Sequence, residues 1–307
     1  MGMEQRRVPP VWLPSLVYHR RAREKRGKAA VYQVKISGLD LEKTAESGQC
    51  FRLTPRGAGW HLAALGRSLD IQPMDGGEFL FSCSEAEYRA VWTDYFDIDA
   101  DYDMYAEAVP PEDAFLTAAA AFSRGVRILR QDPWETLITF ILSQRKNIPA
   151  IRRGVEELSR RYGAPIPHTG EFAFPGPGSL ASAGEEELRA CGLGYRAPYV
   201  LAAARMTAEG TLNLDSLKAL PDAALLEALT AVPGVGVKVA NCVRLFGFHR
   251  LGAFPRDVWI ERVIQEQYGG SFPLERYAGF AGVIQQYLFF YGRSLALAER
   301  RGKGGRK

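Results

Sequence analysis

One stretch, Val232-Pro-Gly-Val-Gly-Val-Lys-Val-Ala-Asn-Cys242, constrains this chain more than any other. A helix ending near Thr230 meets Pro233-Gly-Val-Gly236, and a new helix begins at about Val237. Gly234 and Gly236 let the backbone turn tightly and approach a ligand with no Cβ in the way. The second helix would present unpaired N–H groups and the positive end of its dipole, which suits a phosphate. The hairpin therefore reads as a sequence-independent clamp on a DNA backbone. An ordinary turn between two core helices is the alternative that the same residues allow.

Lys238 falls in the first turn of that second helix, where a cation opposes the dipole. Either it contacts a phosphate, or its amine serves as a nucleophile. Asp257 lies 19 residues further on, after Phe254-Pro-Arg256 and before a helical pattern. It is a natural N-cap. One helix and one loop would also return its carboxylate to the hairpin's end. An amine beside a carboxylate at a DNA-binding turn fits N-glycosidic chemistry. The amine attacks the sugar C1′ as the base leaves, and the carboxylate stabilises the oxocarbenium-like charge.

The remaining totals narrow the class. At 307 residues the chain holds two or three domains, and 47% apolar content rules out a disordered protein. Cys50, Cys83, Cys191 and Cys242 form no CxxC pair and sit near no histidine cluster, so neither a metal site nor a disulfide framework is expected. No apolar run is long enough to span a membrane, and the N-terminus has no apolar signal core, which implies a cytoplasmic protein. Charge is uneven. Residues 1–30 carry eight Arg/Lys against two Glu, and residues 299–307 carry five against one, leaving an acidic body between them. Basic ends suit phosphate contacts, though solubilising tails would look the same.

Segments at Val31–Ile36, Trp60–Leu65, Leu69–Gln72 and Phe79–Ser82 alternate in part and are split by turn residues. Short connections favour antiparallel pairing. Ser84 and Glu87 have capping-box spacing for a helix reaching about Phe96. From Glu112 onward, nine segments show helical periodicity, the last over Phe280–Ser294. The expected fold is α+β: a basic extension (1–30), a small antiparallel β-sheet domain (31–105), a larger all-α helix-hairpin-helix region (106–298) and a basic disordered tail (299–307).

The hairpin, Lys238 and Asp257 resemble the helix-hairpin-helix DNA glycosylase superfamily, in its bifunctional branch. Four further stretches, Ser47-Gly-Gln-Cys-Phe-Arg52, Asp132-Pro-Trp-Glu135, Ser143-Gln-Arg-Lys-Asn-Ile148 and Gly192-Leu-Gly-Tyr-Arg-Ala197, are similar to the 8-oxoguanine DNA glycosylase family in a bacterial form. The resemblance implies a glycosylase domain acting as a monomer on double-stranded DNA that contains oxidised guanine. It would be associated with a bacterial nucleoid, with no membrane and no cofactor. The superfamily's iron–sulfur members carry four clustered C-terminal cysteines, and this chain has none after Cys242.

Roles follow the resemblance position by position. Gly48 would offer its carbonyl to the N7–H that 8-oxoguanine has and guanine lacks. Cys242 and Phe289 would flank the flipped base, and Gln285 would bond its Watson–Crick edge. Tyr195 and Arg196 would wedge and fill the gap, while Arg145 faces the orphaned base. Gly234, Gly236 and Val237 would touch the DNA backbone, and Asn147 would also contact DNA. Two positions depart from the family pattern. Ala150 stands where an Arg reads the opposite cytosine, implying relaxed opposite-base preference, and Trp259 replaces a His. The competing reading is a 3-methyladenine-type alkylpurine glycosylase, which would use Asp257 without a covalent amine.

Overall fold

The computed structural model describes residues 30–304. The expected basic extension lies outside them except for its last residue. Five strands form one antiparallel sheet: β1 (Tyr32–Lys35), β2 (Leu53–Arg56), β3 (Gly59–Ala64), β4 (Arg67–Pro73) and β5 (Glu78–Phe81), in the spatial order β1-β5-β4-β3-β2. Leu53, Leu62, Leu69, Ile71 and Phe81 are buried on one face, against Trp92, Phe96 and Leu129. Strand β2 is absent from the sequence expectation. Pro55 interrupts its pattern, and proline is tolerated because β2 is an edge strand.

The helices that frame the site are α1 (Leu41–Glu46), α2 (Ala114–Phe122), α3 (Pro133–Ser143), α4 (Ile148–Tyr162), α5 (Ala197–Ala208), α6 (Asp222–Thr230), α7 (Val237–Phe246), α8 (Val258–Tyr268) and α9 (Ala281–Gly304). Side chains set most of their starts. Asp40 accepts from the Lys43 N–H at 2.9 Å, Asp132 from Glu135 at 2.8 Å and Asn147 from Ala150 at 3.0 Å. Helix α3 is buried almost all round, with Trp134 and every residue from Thr136 to Leu142 enclosed. A helix apolar on every side belongs in the centre of a core, and α3 packs against α4, α5 and α7. Helix α9 packs against α2 and α8.

Two expectations are corrected. The helix after Ser84 is interrupted by a wider turn over Tyr88–Trp92. The last helix runs on to Gly304, through most of the span expected to be a disordered tail. Glu and Arg are good helix formers, and extending an existing helix costs far less than nucleating one. Among the described residues, no helix is long and apolar enough to cross a membrane.

Buried polar groups join sheet and helices. Gln49 donates to the Arg127 carbonyl at 2.9 Å and accepts from the Leu129 N–H at 2.8 Å. Asp97 accepts from Tyr102 Oη at 2.9 Å and from Arg130 Nη2 at 2.8 Å, and it lies 3.3 Å from Nε2 of His249. His249 follows α7, so this carboxylate ties the sheet region to the far end of the hairpin's second helix.

Candidate active site and DNA-facing surface

The hairpin forms as α6, a turn and α7. Gly234 has φ +79°, and a Cβ there would fall 2.3 Å from Cγ of Tyr199 on α5. Glycine is required both by the backbone and by that close approach. A Cβ on Gly236 would meet nothing within 4 Å. No side chain caps the start of α7, and Val237 is 60% exposed. The first N–H groups of α7 thus face an open surface, the arrangement that suits an anion.

Lys238 is half-buried, with Nζ 5.4 Å from the centroid of the Phe140 ring. Phe140 stacks on Phe246 at 5.5 Å and meets Phe51 edge-on at 6.0 Å. The amine therefore stands on an aromatic floor. Cys242, one turn along α7, is buried. Burial pushes its thiol up, the Lys238 ammonium opposes that shift and the Asp257 carboxylate adds to it. Asp257 caps α8, its Oδ1 accepting from the N–H groups of Trp259 at 3.0 Å and Ile260 at 2.9 Å.

Gly48 adopts φ +78°, and a Cβ there would lie 3.1 Å from the Phe289 ring. Gln285 lies one turn before Phe289 on α9. It is buried, and its Nε2 donates to the Pro255 carbonyl at 3.1 Å, while its Oε1 accepts from Gln286 at 3.0 Å. Pro255 belongs to the loop that carries Asp257, so Gln285 and Asp257 are linked through that loop.

A second group of residues borders the hairpin. Arg145 is exposed with φ +53°, Asn147 is exposed at the start of α4, and Tyr195 is 46% exposed. Gln144 donates to the Gly234 carbonyl at 3.0 Å, and Lys146 donates to the Gly192 carbonyl at 2.7 Å. The loops around residues 144, 194 and 234 are thereby laced together. Arg196 is held within these loops. Its side chain is buried, bonds the carbonyls of Gln144 and Leu193, and lies 4.3 Å from the Tyr195 ring centroid. It braces the loops and backs Tyr195 instead of presenting a free guanidinium. Carbonyls left by two tight turns need donors, and a five-donor guanidinium supplies them.

Phe140 and Tyr199 escaped the sequence reading. Phe140 sits in a helix apolar on every side, so periodicity cannot single it out. Among the described residues, no group of three or more His, Cys, Asp or Glu is arranged to hold a metal ion.

The comparisons agree with this geometry. The 8-oxoguanine DNA glycosylase N-terminal domain model matches residues 31–137, and the HhH-GPD superfamily base excision DNA repair protein model matches residues 138–272. A probable N-glycosylase/DNA lyase of Methanothermobacter thermautotrophicus is 30% identical over 240 residues, covering 68% of this chain and 76% of that protein. The structure of MBOgg1 in complex with a low-affinity DNA ligand has a TM-score of 0.82 and 33% identity, covering 88% of this chain and 98% of that one. The 8-oxoguanine glycosylase/lyase of Clostridium acetobutylicum, solved with double-stranded DNA containing cytosine opposite 8-oxoG, has a TM-score of 0.80 and 30% identity, covering 87% of this chain and 98% of that one. This chain belongs to the 8-oxoguanine DNA glycosylase family, within the HhH-GPD superfamily of base excision DNA repair proteins.

Proposed function

We propose that this protein excises 8-oxoguanine from duplex DNA and then cleaves the strand at the abasic site. The observation that carries this is the placement of Lys238 at the open start of α7, its amine over the Phe140 ring, with Asp257 at the start of the next helix. The damaged nucleotide leaves the stack and enters the space between Cys242 and Phe289. Gly48 accepts from its N7–H, and Gln285 faces its Watson–Crick edge. The Lys238 amine, once its ammonium proton has passed to solvent, forms a bond to C1′ as the C1′–N9 bond breaks and its electrons leave with the base, and the new cationic nitrogen gives a proton to the departing base. Asp257 stabilises the positive charge that develops on the sugar. Opening of the sugar ring gives a Schiff base on Lys238. A C2′ proton then passes to solvent water, the C2′–H electrons form the C2′=C3′ double bond, and the C3′–O bond breaks to release the 3′ phosphate.

The hairpin N–H groups hold a phosphate. Tyr195, Arg145 and Asn147 take up the gap and the opposite strand. Half-buried Ala150 offers no side-chain donor to an opposite cytosine, so discrimination of that base is weak. The protein acts as a monomer in the cytoplasm and needs no cofactor. The test is single-turnover excision from duplexes carrying 8-oxoguanine opposite each of the four bases. Excision at comparable rates supports this reading. A strong cytosine preference contradicts the role given to Ala150, and no excision of 8-oxoguanine contradicts the function itself.

A further inference from the structure

Gly48 follows α1 by two residues, and the end of α1 is held from two sides. Arg152 of α4 donates through Nη2 to the Ala45 carbonyl at 2.9 Å and to Glu46 Oε1 at 3.1 Å. Arg293 of α9 donates through Nη1 to the Glu46 carbonyl at 2.7 Å, and its Nη2 lies 3.8 Å from Glu46 Oε2. The Arg152 and Arg293 side chains are mostly buried, at 23% and 19% exposure. Burial pulls the Arg293 guanidinium below its ordinary value, Glu46 opposes this and Arg152 adds to it. The carboxylate therefore keeps two confined cations together beside one segment of backbone.

That segment leads directly into the base reader. On its far side Gln49 is fixed, bonding Ser47 Oγ and the Arg127 carbonyl at 2.9 Å each. A left-handed glycine between two anchors has its carbonyl direction set by them. We infer that Glu46 is a positioning residue, which through Arg152 and Arg293 aims the Gly48 carbonyl at the damaged base. The inference rests on the role of Gly48 given above. It also joins three parts of the site. Helix α4 begins at the residues facing the opposite strand, α9 carries Gln285 and Phe289, and both meet at Glu46. Discrimination by one carbonyl depends on distance, so a displacement of about 1 Å costs on the order of 100-fold in rate.

The full chain with Glu46→Ala or Glu46→Gln is assayed in two ways. The first assay is single-turnover excision of 8-oxoguanine. The second is nicking of a duplex with a preformed abasic site, which has no base to read. Excision falls on the order of tenfold or more in Glu46→Ala and less in Glu46→Gln, while nicking stays within about twofold. Should Glu46→Ala not fold, Arg293→Met gives the same comparison. Equal loss of both activities, or loss of neither, overturns the inference. The wild type separates the two readings. If it excises 8-oxoguanine and Glu46→Ala matches it, only the role of Glu46 fails; if the wild type excises none, the proposed function fails.

Discussion

Gly48 and Phe289 meet closely, with only 3.1 Å between the ring and the place a β-carbon on residue 48 would occupy. The contact joins the loop after α1 to the last helix, residues 241 positions apart in the chain. Its tightness, with φ +78° at Gly48, strains any side chain placed there.

Gly48→Ala is therefore expected to lose excision of 8-oxoguanine while remaining folded. The left-handed backbone alone costs an alanine about 1–2 kcal/mol, and the ring must also shift. Nicking at a preformed abasic site is retained. Equal excision by Gly48→Ala and the wild type would remove the glycine from base recognition.

Asp257 has two tasks that substitutions separate. Asparagine also caps helices well, whereas alanine costs about 1 kcal/mol at an N-cap. Asp257→Asn should keep nearly wild-type stability yet lose base excision, because a neutral amide does not stabilise the sugar cation. Asp257→Ala should lose both. Urea unfolding beside single-turnover kinetics distinguishes them, and an active Asp257→Asn variant would reduce the residue to a cap.

The two hairpin glycines should respond differently. Gly234→Ala places a methyl group 2.3 Å from Tyr199 in a left-handed backbone, so melting temperature and DNA affinity fall together. Gly236→Ala enters open space, so stability holds while the added methyl blocks phosphate approach and weakens binding. Thermal melts and DNA titrations at fixed salt test the pair. Normal binding by a stable Gly236→Ala variant would argue against a phosphate at the start of α7.

Asp97 should govern the acid limb of stability. Burial works to raise its carboxyl, but His249, Tyr102 and Arg130 hold it at about 2, below its ordinary 3.8. A depressed carboxylate stabilises the fold above its unfolded value and loses that contribution as pH falls through the folded one. The contribution is thus complete above about pH 3.8 and fades toward pH 2. A carboxyl held at about 2 instead of 3.8 corresponds to about 2 kcal/mol, so Asp97→Ala should be destabilised by that order at neutral pH. It should also lose less stability than the wild type over the acid window. Parallel unfolding curves for the two proteins across that window would contradict this.

The sequence made some of this architecture legible and hid the rest for identifiable reasons. The hairpin, Lys238 and Asp257 stand out locally, because a paired glycine turn and a misplaced cation each require an explanation. The sheet was readable except β2, where Pro55 breaks the alternation, and α1 was too short at six residues to show a period. Gly48, Gln285 and Phe289 carried no signal of their own and were found by resemblance alone. The burial of Arg196 was not legible, because charged side chains are rarely buried unless paired and its partners are carbonyls that no pattern reveals. Glu46, Arg152 and Arg293 lie up to 247 positions apart, a separation that only the fold closes.

The central claim is that the Lys238 amine becomes covalently joined to DNA. Incubation with a duplex containing 8-oxoguanine in the presence of borohydride tests it most directly. The wild type should give a stable protein–DNA adduct whose cross-linked residue is Lys238, and Lys238→Gln should give none while still binding the duplex. An adduct undiminished in Lys238→Gln, or excision by the wild type with no adduct at all, would contradict the account.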